Sequence, residues 1–211
     1  MPIPKETGKQ YFTYAEYKNW PDDERWEIID GEAYDMSPAP GMTHQRMVGE
    51  IYRRIADFLE ENKCEVFVAP FDVFLPEPNE KEDKISTIVQ PDISIICDKL
   101  KLSEKGCTGC PDVVIEIISP TGASRDQIKK RHLYEKKGVK EYWIVHPIDK
   151  ILWKYVLTTI KEGRQYGKPQ IFDYRGTPSF EILPDFKLNL LKVFGPDEKV
   201  TEPSPKEYKR L

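Results

Sequence analysis

The sequence predicts a mixed α/β fold: a mixed sheet flanked by helices, with an N-terminal β-hairpin. Three observations lead there. Met47, Val48, Ile51, Ile55, Phe58 and Leu59 recur at helical spacing within residues 43–62. Residues 65–75, 89–97 and 113–119 are runs rich in Val, Ile or Phe, the composition of strands. A second helical stretch, 124–137, is followed by two more apolar runs, 141–146 and 151–157. Strands interleaved with helices in this order suit one sheet packed between helical layers.

The individual elements carry their own signals. A short helix is expected over residues 14–19, with Thr13 as its cap. Residues 25–36 read as a hairpin, because Asp30 and Gly31 both tolerate the positive φ of a two-residue type I′ turn. Thr43 is expected to cap the long helix. Ser124 with Gln127 forms a capping-box pattern at the start of the second helix, and Gly138 stands where a left-handed residue ends it. Polar stretches at 76–86 and 100–111 read as surface loops. The chain ends, 1–12 and 195–211, are polar or rich in proline and are expected to be flexible, leaving 13–194 as one domain.

With 211 residues, the chain can bury a sizeable core. No apolar run approaches the roughly 20 residues that span a bilayer, and the first ten residues do not resemble a signal peptide. A cytoplasmic location without membrane contact is therefore the expectation. The net charge of −4 gives no overall basic footprint. Locally, however, Arg125 to Lys140 holds seven basic residues against two acidic ones. That run is either a solvated helix face or a surface for phosphates. The four cysteines, Cys64, Cys97, Cys107 and Cys110, are expected to be free thiols.

Glu116 is the most informative residue. It stands among Val113, Val114, Ile115, Ile117 and Ile118, so its carboxylate is expected to be buried, and burying such a charge without a partner is costly. A basic side chain or a metal ion should compensate it. Asp92 opens the neighbouring run 93–97, directly after Pro91, which suits a strand's first residue. If the two strands pair, the acids converge, and a hard divalent ion relieves their repulsion. Asp126, Lys130 and Tyr134 recur every four residues and share a helix face. A lysine there can stabilise developing negative charge, or can simply pair with Asp126 at the surface.

Many blocks carry a resemblance. They include Glu27 to Glu32, His44-Gln45-Arg46, Ala69 to Val73, Gln90-Pro91-Asp92-Ile93-Ser94, Glu116 to Pro120, Ser124-Arg125-Asp126, Lys130, Tyr134 and Gly138 to Val145. Together they resemble the Uma-type restriction endonuclease family of the PD-(D/E)XK nuclease superfamily, from about Thr13 to Leu191. The resemblance implies a restriction-endonuclease-like core, often dimeric, and so a possible homodimer. It implies metal-dependent hydrolysis of nucleic acid, DNA in the first instance, with Mg²⁺ or Mn²⁺ as cofactor. It carries the catalytic acids onto Asp92 and Glu116 and the metal site onto these two and the Ile117 carbonyl. The superfamily's usual lysine position holds Ile118 here, and the basic role passes to Lys130. Glu27, His44 and Tyr134 fall in matching blocks as supporting residues. Arg46, Arg125, Lys129 and Arg131 are the expected nucleic-acid contacts.

Two other classes remain open on sequence. The same fold can serve as a catalytically silent nucleic-acid- or protein-binding module. Cys107 and Cys110, spaced CxxC, can mark a redox or zinc site.

Overall fold

The computed structural model describes residues 11–195 except 22, 37–38, 119–124 and 162; the side chains of residues 125–127 are also outside the description. Phe12 is buried, and its N–H donates to the Gly31 carbonyl at 2.8 Å. Helix α1 (Tyr14–Tyr17) follows. Thr13 caps it as expected, its backbone N–H donating to the Glu16 carboxylate at 2.9 Å. Strands β1 (Trp26–Ile29) and β2 (Glu32–Asp35) form the hairpin, with φ of 48° at Asp30 and 83° at Gly31. Both turn residues are left-handed, as the Asp-Gly pair implies. Helix α2 (Met42–Leu59) begins one residue earlier than expected. Its N-cap is Gly41, so Thr43 lies inside the helix and does not cap it.

The apolar runs 65–75 and 89–97 each prove to be two strands in different sheets. The first divides into β3 (Glu65–Val68) and β4 (Val73–Phe74), the second into β5 (Ile88–Val89) and β6 (Ile93–Ile96). Pro70 and Pro91 fall in the two breaks. A proline has no N–H to give a ladder, so the chain leaves one sheet there and enters the other. The stretch 100–111 contains a small hairpin, β7 (Leu102–Ser103) and β8 (Gly106–Thr108). Strand β9 (Val113–Ile117) comes next. A π-helical turn, Arg125–Lys130, leads into α3 (Arg131–Lys137), which ends on left-handed Gly138. The proposed cap Ser124 lies outside the described residues. Strands β10 (Glu141–His146), β11 (Ile151–Ile160), β12 (Gly163–Tyr166) and β13 (Gln170–Asp173) complete the sheets, and a short helix, α4 (Leu190–Phe194), closes the fold.

The larger sheet has the order β12-β11-β10-β9-β6-β3, with β13 also paired to β11. It is mixed, since β9 and β10 run parallel and its other pairs antiparallel. The smaller sheet has the order β2-β1-β5-β4-β8-β7. Met47, Ile51, Ile55 and Leu59 of α2 pack on one face of the larger sheet, against Ile93, Ile95, Val113, Ile115 and Ile117. Phe180, Phe186, Leu188 and Leu190 join them from the C-terminal segment. The opposite face, through Val114, Tyr142 and Ile144, meets Leu133 and Tyr134 of α3 together with Val73 and Val89 of the smaller sheet. Alternation along β9 therefore turns Glu116 towards α3. Among the described residues no helix is long and apolar enough to cross a membrane.

Cys64 and Cys97 are joined in a disulfide, so only Cys107 and Cys110 are free thiols. This corrects the expectation of four free thiols, and the cause is register. Glu65 pairs with Ile96 across β3 and β6, and one step further sets Cys64 opposite Cys97.

Candidate active site

The centre is assembled by strand register. Ile93 pairs with Ile115 in the antiparallel β6–β9 ladder, and one step beyond brings Asp92 beside Glu116. The Asp92 N–H points at Glu116 Oε2, 3.3 Å away. Asp92 Oδ2 accepts from the Ile117 N–H at 2.7 Å and lies 3.0 Å from His44 Nε2. His44 sits in the first turn of α2, so helix and strand hold this carboxylate from two sides. Asp92 stands at the mouth, its side chain 17% exposed, whereas that of Glu116 is 4% exposed.

The cost of burying Glu116 is offset from the helix, as its apolar setting requires. Lys130 Nζ lies 2.8 Å from Glu116 Oε1, and the Tyr134 hydroxyl donates to the same oxygen at 3.0 Å. The four-residue spacing of Lys130 and Tyr134 gives them this common target. Lys130 is bound by a second acid. Glu27 Oε1, from the fully buried strand β1, lies 2.8 Å from Nζ and also accepts the Gln90 N–H at 2.9 Å. Asp92, Glu116, Lys130, Glu27, His44 and Tyr134 thus form one connected group. The Asp126 side chain lies outside the description.

Of the remaining candidates, Lys129, Arg131 and Arg46 stand apart from this group, and the Arg125 side chain lies outside the description. Lys129 is exposed and bonds Glu32 at 2.7 Å and the Tyr34 hydroxyl. The Arg131 guanidinium lies over the Tyr155 ring. Arg46 is exposed, with Met42 Sδ 3.7 Å from its guanidinium. Much of the basic run meets the protein's own acids: Lys136 pairs with Glu77, Lys137 with Glu77, and Lys140 with Asp112. The exposed Lys136–Glu77 pair is worth about 0–1 kcal/mol, whereas the Lys137 side chain is buried and also donates to the Leu75 and Pro76 carbonyls. Cys107 is buried and Cys110 donates to the Lys137 carbonyl at 2.7 Å. Burial pushes the Cys107 thiol up to about 11 and raises that of Cys110 as well.

Sequence reasoning missed a polar extension of the centre through Gln90. Gln90 Nε2 donates to Asp72 Oδ1 at 2.9 Å, the Tyr17 hydroxyl donates to that oxygen at 2.9 Å, and Arg25 donates to Gln90 Oε1. Burial raises the Asp72 carboxyl above its ordinary range. Burial also raises the Tyr17 hydroxyl, with Asp72 adding to the effect. Residues 17, 25, 72 and 90 share no spacing, and only the fold brings them together.

Asp92 and Glu116 offer adjacent hard oxygen donors, the chemistry that Mg²⁺ and Mn²⁺ take. In that sense the residues fit the implied cation. Among the described residues no group of three or more His, Cys, Asp or Glu is arranged as a ready cation cage. The same observation leaves Cys107 and Cys110 without further described ligands for zinc, which takes four.

The fold is of the restriction-endonuclease-like nuclease class. Solved structures share it, among them that of a "putative nuclease belonging to DUF820" from Anabaena variabilis. That structure has a TM-score of 0.68 and 19% identity, over 87% of this chain and 97% of the other. The chain belongs to the Uma2 family, described as "Putative restriction endonuclease", whose model matches residues 14–191. No curated protein matches it.

Proposed function

We propose that the protein is a divalent-cation-dependent phosphodiesterase that hydrolyses nucleic acid, with DNA as the first substrate to test. The observation carrying this reading is the convergence of Asp92, Glu116 and Lys130, each from a different element, inside a nuclease-class fold. Asp92, Glu116 and the Ile117 carbonyl would hold Mg²⁺ or Mn²⁺. The bound cation would lower the pKa of its water and neutralise the non-bridging oxygens of the scissile phosphate.

The chain's own residues do the rest. The partly exposed Asp92 meets the substrate side, and His44 and the Ile117 N–H fix its carboxylate. Lys130, held between Glu27 and Glu116, brings a positive charge to the phosphate or the attacking water without having to order a mobile side chain. Tyr134 holds Glu116 in place. Lys129, Arg131, Arg46 and Arg125 supply backbone contacts, whose strength falls as salt rises.

The test is cleavage of plasmid and single-stranded DNA in Mg²⁺, Mn²⁺ or EDTA. Wild type is expected to cut only with a cation, and Asp92→Ala not at all. Equal behaviour of the two proteins in every condition removes the catalytic role.

One observation favours a second reading. Lys130 already satisfies two carboxylates, so the same centre can be a structural ion pair in a nucleic-acid-binding module. Such a module binds DNA equally well with and without cation.

A further inference from the structure

Gln90 joins two networks. Its backbone N–H donates to Glu27, the partner of Lys130, while its side chain belongs to an open cleft of about 540 Å³. That volume lies within the ~300–1,000 Å³ of small-ligand sites. Tyr17, Trp20, Trp26 and Phe74 line it. Tyr17 is half-buried and lines the cleft, with Trp20 packed edge-on against it at 5.4 Å between centroids and Trp26 behind.

The polar lining is specific. Asp72 Oδ1 is occupied by Tyr17 and Gln90, and the Arg25 Nε and Nη2 groups are occupied by Gln90 Oε1. Among the described residues, Asp72 Oδ2 and Arg25 Nη1 take no hydrogen bond. Beside an aromatic wall, and next to Asp23 and Glu24 of the lining, the cleft therefore sets an Asp72 acceptor and an Arg25 donor that their neighbours already fix in place.

The geometry points to a nucleobase site in this cleft, selective for a base that carries both an exocyclic amino group and a carbonyl oxygen. Asp72 accepts from the amino group, Arg25 donates to the carbonyl, and Tyr17 stacks on the ring. Guanine and cytosine carry both groups. Adenine lacks the carbonyl, and thymine lacks the amino group. Burial of Asp72 sharpens the choice, because a carboxylate deprived of water gains most from a matching donor and loses most from a mismatch. Gln90 is two residues from Asp92, at most ~7 Å of chain. A base seated here keeps its own sugar-phosphate within a nucleotide's reach of the acidic pair. This inference deepens the nuclease reading and rests on it for the source of the base.

The test is a metal-free titration of the full chain, in EDTA, with GMP, CMP, AMP and TMP. Tryptophan fluorescence, through Trp20 and Trp26, and calorimetry report binding. GMP and CMP are expected to bind saturably and about tenfold or more tighter than AMP and TMP, as one well-made base contact implies. Asp72→Asn and Arg25→Ala should each erase that preference; Arg25 lies at the half-exposed cleft edge, so its replacement is expected to keep the fold. Absence of saturable binding at millimolar nucleotide, equal binding of all four, or unchanged preference in folded Arg25→Ala overturns the proposal. The two readings fail separately. Selective nucleotide binding by a protein that never cuts DNA keeps the cleft and removes the nuclease. Cation-dependent cutting without nucleotide binding does the reverse.

Discussion

Lys130 Nζ lies 2.8 Å from Glu116 Oε1, an ion pair almost wholly removed from water. Its members come from a central strand and from the end of the π-helical turn that leads into α3. A buried pair of this kind is a poor source of net stability, yet removing one member leaves a bare charge in the core. Here the loss of the ammonium removes a cation from beside two buried carboxylates, Glu116 and Glu27.

Lys130→Met is therefore expected to destabilise the protein by about 3–5 kcal/mol. Tyr134→Phe, which removes one hydrogen bond and leaves the ion pair, should cost less, about 1.5–3 kcal/mol. Urea unfolding of the two variants measures both. Equal midpoints for Lys130→Met and wild type would mean that the pair does not form.

His44 holds Asp92 without being one of the acids that would bind the cation. His44→Ala should weaken Mn²⁺ binding by about 10- to 100-fold, the usual effect of losing a residue that orients a metal ligand. Titration calorimetry reads it. Undiminished affinity would place His44 outside the site.

His146 gives a pH dependence with a definite sign. Burial lowers its pKa below the ordinary 6.5, the nearby charge of Asp149 opposing this only in part. As pH falls through 6.5, the unfolded chain takes up a proton that the folded protein resists, so folding stability drops until the folded-state pKa is passed. His146→Gln lacks this proton. The stability of wild type minus that of the variant should decrease below about pH 6.5. Parallel stability curves from pH 8 to 5 would contradict it.

The cysteines divide two and two. Denatured protein prepared without reductant should show two reactive thiols, Cys107 and Cys110, and all four after reduction. In the native state at pH 8 both should react slowly, since burial keeps the Cys107 thiol at about 11 and thiolate scarce. Four thiols in the unreduced, denatured protein would argue against the Cys64–Cys97 bond.

Local elements were legible in the sequence wherever one residue dictates one backbone geometry. Thr13 caps α1, Asp30-Gly31 turns the hairpin and Gly138 ends α3, each as its chemistry requires. The partition into two sheets was not legible. An unbroken Val- and Ile-rich run gives the same apolar signal whether it stays in one sheet or crosses to another. Only Pro70 and Pro91 hinted at the breaks. The disulfide was hidden for a related reason, because Cys64 and Cys97 become neighbours only once the β3–β6 register is known. The acidic core of the site was more visible. A glutamate inside an apolar strand has to be compensated, and a helix repeating Lys130 and Tyr134 every four residues was a ready source. Glu27 as second partner of Lys130, and the Gln90–Asp72–Tyr17 extension, depend on the smaller sheet and left no periodic trace.

The most direct measurement of the central claim is a calorimetric titration of Mn²⁺ into wild type, Asp92→Asn and Glu116→Gln. Wild type should bind the ion saturably, Asp92→Asn should lose that binding, and Glu116→Gln should weaken it strongly while remaining folded. Indistinguishable titrations for all three proteins would contradict a cation site at Asp92 and Glu116.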